Sequence, residues 1–409
     1  LASVLGLLVR HATYIADELA QTGVIEILTE ALKDKSEKVR RRVMATLGEL
    51  LFYVATQQDA QEGVTAAQIS ERWGITSTTI TAVARLLKPQ EDEIAQHYAV
   101  KTMENICSQH GDWAVKFCSQ DIVFSLVQLL NTTKSENLKA TTASTLSRLL
   151  RHSPALVAYV VDKFGIRLSV ANLADPSSKV QTAAVNMLNM ALVHQDLKVR
   201  AKSALSEERS LVGSLMAMLD HTLPVLRVKA VVALLLLSRL SSRWLLEACK
   251  AKLVTIIDRL QRDKEEYLQS AIVALRGEMT RLVPVVCEQI TEELSKAGTR
   301  KAVAASPGRP TTSKNPLQHF QIVLHLITSP YFRSAVVTPA LLADLAAYMS
   351  AAATPSLQPS GMAEFKTTLQ TVVEAICQQT ELVLQHYQPM LDHMLPALCE
   401  LVTSASESG

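Results

Sequence analysis

The chain has 409 residues, 41 of them Lys or Arg and 39 Asp or Glu, for a formal charge of +2. So close a balance excludes a global field that would draw the whole molecule onto nucleic acid or anionic lipid, and any electrostatic partner has to be met by a local patch. Apolar residues make up 48% while glycines number 13 and aromatics only 4%, a mixture that suits close-packed helices better than sheets.

The first element, LASVLGLLVRHA, is an apolar helical run that begins at Leu1, not Met, and this reads as a fragment of a longer polypeptide. The next is a short segment, YIADELAQTG, followed by the apolar helix VIEILTEALKD. KSEKVRRRVMATLGELL comes fourth, where Val39, Val43 and Leu47 recur at steps of four and share one helix face. Arg40, Arg41 and Arg42 lie between these core positions and are expected on the solvent side, either as a solvated face beside Asp34 and Glu37 or as a docking patch for an acidic partner.

The same register returns at Ile94/Tyr98/Thr102, Leu138/Thr142/Leu146, Val180/Ala184/Leu188, Leu226/Ala230/Leu234 and Tyr267/Ala271/Leu275. Successive anchors are 55, 44, 42, 46 and 41 residues apart, a period that belongs to helical repeats. The wide first gap holds QQDAQEGVTAAQISERWGITSTT, expected as a polar insertion over 57–79 with a short helix near Gln68 to Arg72. Each anchor helix follows an apolar helix and a polar turn, and Pro89, Pro176 and Pro224 fall in or beside those turns, where proline stops helices. An extra short segment ahead of the early pairs favours three-helix armadillo units over two-helix HEAT units. The expected fold is therefore an all-α, armadillo/HEAT-like, right-handed superhelical solenoid of about six repeats over 1–295, whose stacked units share one core and expose a long concave surface.

Residues 296–316, KAGTRKAVAASPGRPTTSKNP, contain five Lys/Arg and no acid and are expected as a disordered basic linker. Arg300, Lys301 and Arg309 could lie along an acidic surface such as a tubulin tail, and phosphorylation of Ser306, ahead of Pro307, would weaken that contact. Amphipathic helices resume over 317–403 as a block that extends or caps the solenoid, and 404–409 form a tail.

Armadillo proteins that grip extended peptides carry a ladder of Asn on the third helix. The corresponding positions here, with one residue of slack, are Glu49, Asn105, Arg148, Asn189 and Leu236, so the ladder is broken, and the groove is expected to meet folded proteins instead of extended peptides. No catalytic residue is expected: H-E-x-x-H, a Walker loop, G-x-S-x-G, a Gly-rich dinucleotide loop, H-R-D and D-F-G are all missing, and DKFG at 162–165 is a chance neighbour of the last. Cys107, Cys118, Cys249, Cys287, Cys377 and Cys399 never approach C-x-x-C spacing and read as buried thiols of a reducing compartment. His319/His325 and His386/His393 are spaced six and seven apart, unlike the i, i+4 pair that clamps a metal. The longest apolar run, Ala230 to Leu237, is far short of the ~20 residues of a membrane span. Expected, then, is a soluble intracellular protein with no cofactor, no metal, no small-molecule substrate, no nucleic acid and no membrane among its partners.

Four strings go beyond the generic repeat: RRRVMATLGELLFYVATQ, EDEIAQHYAVKTMENIC, LSRLLRHSPALVAYVVDKFG and LHLITSPYFRSAVVT. In order and with the intervening linker they resemble, over about residues 1–340, the C-terminal repeat region of the fourth Unc-51-like kinase family, the Fused-related, ciliary branch. The resemblance implies an N-terminal kinase-like domain deficient in catalysis (a pseudokinase) outside these residues. It also implies a scaffold of motile cilia, placed in the cytoplasm and cytoskeleton at the axoneme and its central-pair apparatus, or of another microtubule assembly, with tubulin among its partners. The alternative is the regulatory solenoid of an active serine/threonine kinase.

Overall fold

The computed structural model describes residues 1–16, 18–60, 63–109, 111–205, 208, 210–303, 316–353 and 362–406. Among these there is no strand, and a three-helix pattern recurs along the chain. After α1 (Ala2–His11) come α2 (Glu18–Gln21), α3 (Val24–Ala31) and α4 (Glu37–Ala60), then α5 (Ala66–Arg72), α6 (Ser77–Arg85) and α7 (Glu93–Ile106). The third triplet is α8 (Gly111–Val115), α9 (Gln120–Thr132) and α10 (Glu136–His152); the fourth is α11 (Pro154–Phe164), α12 (Arg167–Asn172) and α13 (Ser178–Val193). α14 (Gln195–Leu205), α15 (Leu211–Met218) and α16 (Pro224–Leu240) follow, then α17 (Ser242–Lys250), α18 (Leu253–Leu260) and α19 (Glu266–Val303). The chain continues as α20 (Pro316–Thr328), α21 (Arg333–Val336), α22 (Pro339–Ala353), α23 (Met362–Cys377), α24 (Thr380–Gln385) and α25 (Tyr387–Pro389), a π-helical turn (Met390–Met394) and α26 (Leu395–Ser406). Contacts divide the whole into two compact units, Leu1–Leu211 and Val212–Gly409.

Local chemistry sets the boundaries. Asp92, Ser119 and Ser135 each accept a backbone N–H in the first turn of α7, α9 and α10, and Thr65 and Gln68 form a reciprocal capping box on α5. Pro154 and Pro224 open α11 and α16, where the missing N–H costs nothing. DKFG proves to be the end of α11: Gly165 closes that helix at φ +76°, a conformation open to glycine.

The short helix expected near Gln68 to Arg72 is present as α5, but the stretch around it is no insertion: α5 is the first helix of the second triplet. α4 runs on to Ala60, and Ala66, Ile69, Trp73 and Ile75 are buried although polar residues separate them. Trp73 packs edge-on against Tyr53 of α4, ring centroids 6.5 Å apart.

Within the first unit, α1, α4, α7, α10 and α13 pack side by side as one layer of third helices. Val43 and Leu47, the trio Leu138/Thr142/Leu146 and the trio Val180/Ala184/Leu188 face the core as the period requires, whereas Val39, expected with them, is exposed in the first turn of α4. In α7 the register is one residue off: Ala95, Ala99 and Met103 are buried while Ile94 and Tyr98 are exposed. α4 passes close to its neighbours: a Cβ on Gly48 would stand 2.3 Å from Thr102 Oγ1 on α7.

The second residue of the inward face on successive third helices is Arg40, Gln96, Lys139, Gln181, Arg227 and Gln269, basic and amide in strict alternation. Gln96 Nε2 donates to Lys88 O at 2.8 Å, and Gln269 Nε2 to Leu260 O and Asp263 O at 2.9 and 2.8 Å. Arg40 Nη1 donates to Asp34 O and Lys35 O at 2.9 and 3.1 Å, and Arg227 Nη1 to His221 O and Thr222 O at the same two distances. These side chains satisfy carbonyls that the preceding helix and turn leave open, and a cation there also meets the negative helix end. The basic members reach further, to an acid in the next triplet: Arg40 to Glu91 at 3.0 Å, Lys139 to Asp175 at 2.5 Å and Arg227 to Asp263 at 2.7 Å.

In the second unit α16 packs on α17 and α19, α20 on α23, and α22 on α26. Leu268, Ile272, Leu275 and Met279 turn inward on α19, and Tyr267, expected in the core, is exposed. The Arg276 guanidinium lies 3.4 Å from the centre of the Tyr331 ring, which ties α19 to the turn after α20. The backbone of 296–303 continues α19, whereas a linker is expected from Lys296; Ala and Lys/Arg make up five of these eight residues, and the first proline is Pro307. Residues 304–315 lie outside the described residues.

Candidate interaction surface

With one residue of slack in the register, the ladder positions fall one per helix along the layer of the first unit: Glu49 on α4, Asn105 on α7, Arg148 on α10 and Asn189 on α13, all half-buried. Leu236 holds that position on α16 of the second unit and is also half-buried. Glu49 is occupied by a cation, since Arg10 of α1 donates through Nε at 2.9 Å and through Nη2 at 2.5 Å. A carboxylate clamped in this way holds neighbouring helices together and offers no amide to a peptide backbone. Arg148 stands close enough to Cys107 for its charge to oppose burial, which nonetheless pushes that thiol up to about 12.

Between these positions lies a polar centre that the sequence did not suggest. Glu104 is buried, which raises its carboxyl, but hydrogen bonds from Lys101 (2.6 Å) and Ser144 and the charges of Lys101 and Lys179 outweigh burial and hold it below the usual range. Asn186 Nδ2 donates to Ser147 Oγ at 3.2 Å, linking α13 to α10. Beside this centre, a cleft of about 830 Å³ between α7, α10 and α13 is lined by His97, Lys101, Lys134, Lys139, Asp175 and Lys179 together with small polar residues.

The arginine run divides. Arg40, with its side chain 13% exposed, is spent on Glu91 and two carbonyls. Arg41 makes a two-pronged contact with Asp92, Nε to Oδ2 at 2.5 Å and Nη2 to Oδ1 at 2.6 Å, and lies 3.6 Å from Glu37. Burial pushes the Asp92 carboxyl up, but Arg41 and the Ala95 N–H that it caps leave it below the ordinary range. Both arginines therefore fasten α4 to the start of α7, which corrects the expectation that all three fan into solvent, and Arg42 alone of the run is exposed. Arg300 and Lys301 fall on the last turns of α19, while Ser306 and Arg309 lie outside the described residues. Among the described residues no group of three or more His, Cys, Asp or Glu side chains could hold a metal ion, and no helix is long and apolar enough to cross a membrane.

Residues 282–408 match the family described as "Serine/threonine-protein kinase ULK4-like, HEAT repeats". Over 98% of its length the chain is 34% identical to the serine/threonine-protein kinase RUNKEL of Arabidopsis thaliana, covering 30% of that protein. It is 26% identical, again over 98% of its length, to the serine/threonine-protein kinase ULK4 of Mus musculus, covering 32% of it. The chain thus spans about a third of these relatives, and the likeness reaches past residue 340, where the sequence strings stop. A designed armadillo repeat protein superposes on 62% of the chain and 99% of its own length, with 16% identity and a TM-score of 0.49.

Proposed function

Starting from HEAT repeats of the ULK4 type, in a chain homologous along its whole length to RUNKEL and ULK4, we propose that this protein is a non-catalytic scaffold that binds folded proteins, working in the motile-cilium axoneme at the central-pair apparatus or in another microtubule assembly. The observation that carries the scaffold reading is the layer of third helices in the first unit. It is a broad face whose ladder positions hold Glu49, Asn105, Arg148 and Asn189 in place of a row of amides, with charged and polar groups fixed between helices. Rigid, mixed-charge faces of this kind suit partners that bring their own shape. The axonemal setting rests on the family resemblance of the sequence strings.

Tagged protein from ciliated cells should co-purify with central-pair components and appear in cryo-electron microscopy of axonemes. Recovery entirely in the cytosolic fraction would sink the axonemal reading. The basic segment 296–316 is a second candidate contact, for acidic tubulin tails: its deletion should weaken binding to intact microtubules and leave binding to tail-stripped ones unchanged, and equal loss on both would refute that contact.

A second reading is favoured by the names of both relatives, which are serine/threonine-protein kinases. On it, the repeats regulate an active kinase domain elsewhere in the polypeptide. Phosphoryl transfer needs a strand lysine, a catalytic-loop Asp and a metal-binding Asp, so the full-length sequence separates the two readings by whether all three are present.

A further inference from the structure

The cleft between α7, α10 and α13 opens where one fastening of the stack stops. On α4, α7 and α10 the residue after the alternating cation or amide is Arg41, His97 and Ala140, and the next third helix begins with the cap Asp92, Ser135 and Ser177 respectively. Between α4 and α7 this pair closes, because Arg41 grips Asp92 with two hydrogen bonds, at 2.5 and 2.6 Å. Between α7 and α10 the pair is His97 and Ser135, and between α10 and α13 it is Ala140 and Ser177. Neither can close as an ion pair, and all four residues line the opening of about 830 Å³. α4 packs on α7 and α14 on α13, so the cleft lies inside the layer and its cause is local.

Charge reverses at the same positions. The residue ahead of the cap is Glu91 on α7 but Lys134 on α10 and Pro176 on α13. The acids near the cleft are set back: the side chains of Glu104 and Asp175 are only 10% and 7% exposed, behind the lysines that hold them, Lys101 and Lys139. On the solvent side stand Lys101, Lys134 and Lys179 against one exposed acid of the lining, Glu136. Lys134 and Lys179 make no ion pair among the described residues. Hydroxyls of Thr133, Ser177 and Ser178 add neutral donors. None of the lining residues is Phe, Tyr or Trp, so the cleft gives nucleobases no ring to stack on and favours a peptide over a nucleic acid.

We propose that this cleft is a docking site for an acidic segment of a partner protein, whose carboxylates take the place that Glu91 and Asp92 hold between α4 and α7. This deepens the scaffold reading and rests on it, giving one partner a chemical description: consecutive Asp or Glu on an accessible segment.

The test uses the whole chain and two labelled peptides, one rich in Glu and the other with Gln at the same positions. Fluorescence anisotropy at low salt should give at least about tenfold tighter binding of the Glu peptide, since each exposed charge pair contributes modestly and several act together. Lys134→Glu with Lys179→Glu should weaken that binding at least about tenfold, whereas Lys163→Glu with Lys202→Glu, an equal change of net charge at exposed positions outside the lining, should weaken it less than about threefold. Ala140→Arg with Ser177→Asp rebuilds the Arg41 and Asp92 clamp without changing net charge. It should close the cleft and cost at least about tenfold in binding, while the urea midpoint holds or rises. If that variant folds poorly, reversal of the two exposed lysines still decides. Equal affinity for the two peptides overturns the proposal. So does a lysine reversal no worse than its control, a folded clamp variant that binds like the parent, or tighter binding of a single-stranded oligonucleotide of the same charge. If axonemal partners still co-purify with the Lys134/Lys179 variant while the Glu peptide fails to bind, the docking site is wrong and the scaffold reading stands. If the Glu peptide binds as expected and no axonemal partner co-purifies, the axonemal reading fails and the cleft stands.

Discussion

Arg227 offers the most discriminating test of how the repeats are fastened together. Its side chain is 14% exposed, donates to two carbonyls of the turn before α16 and pairs at 2.7 Å with Asp263 of the next triplet. Arg227→Ala removes all three contacts and strands a carboxylate that is 23% exposed, and the expected loss is about 3 kcal/mol. Arg227→Gln should cost only about 1 kcal/mol, because Gln at this position can still cap the turn, as Gln96 and Gln269 do, and what disappears is a partly screened ion pair. Urea unfolding followed by circular dichroism gives the total, and hydrogen exchange over residues 224–263 localises it, the alanine variant exchanging there on the order of 100-fold faster. Equal losses for Ala and Gln would mean that the acid, not the carbonyls, is the essential partner. Losses below about 0.5 kcal/mol for both would refute the fastening role altogether.

Three further outcomes follow from the geometry. Gly48→Ala drives a Cβ to 2.3 Å from Thr102 Oγ1, so it should destabilise by about 1 kcal/mol net of the helix propensity that Ala adds, and Gly48→Ala combined with Thr102→Ala should recover most of that in the same urea assay. In the native protein at pH 8 a thiol reagent should label exposed Cys399 quickly and leave Cys107 untouched, because burial pushes the Cys107 thiol up to about 12; rapid native labelling of Cys107 would contradict its placement. His325, held near Thr255 at 3.3 Å, is pushed below its ordinary value near 6.5 by burial and by the charge of Lys252, so the unfolded chain takes up the proton first. That contribution to stability is intact above about pH 7, falls as pH drops below 6.5 and levels off below the native value, and His325→Gln should remove this part of the pH profile.

The all-helical repeat was legible because its signal is long and redundant: apolar residues at steps of four, proline-marked turns and a period of 41 to 46 residues after the wider first gap carry it together. Individual faces were less legible where small residues do the packing. On α7 the eye follows Ile94 and Tyr98, yet Ala95 and Ala99 are inside, since a close helix approach selects small side chains and pushes large ones to the rim. The first helix of the second triplet was legible as a short helix near Gln68 to Arg72 but not as part of the repeat, because its buried Ala66, Ile69 and Trp73 are diluted by polar neighbours. Arg40 and Arg41 looked like a basic patch because the acids that neutralise them, Glu91 and Asp92, lie about 50 residues away in sequence and come near only through the stacking of one triplet on the next.

That last point limits what charge can say about repeat proteins. A cation next to the core face of a third helix reads identically in sequence whether it is spent within the stack or free for a partner. What distinguishes the two is an acid one repeat further on, at the matching turn. Arg40, Lys139 and Arg227 each have one, at Glu91, Asp175 and Asp263. The amide residues between them, Gln96 and Gln269, cap their own turns instead. Surface available for recognition therefore begins where this pairing ends. In the first unit that means Arg42 and, around the α7–α10–α13 cleft, the exposed Lys134 and Lys179, whereas Lys139 and Lys101 are held by Asp175 and Glu104.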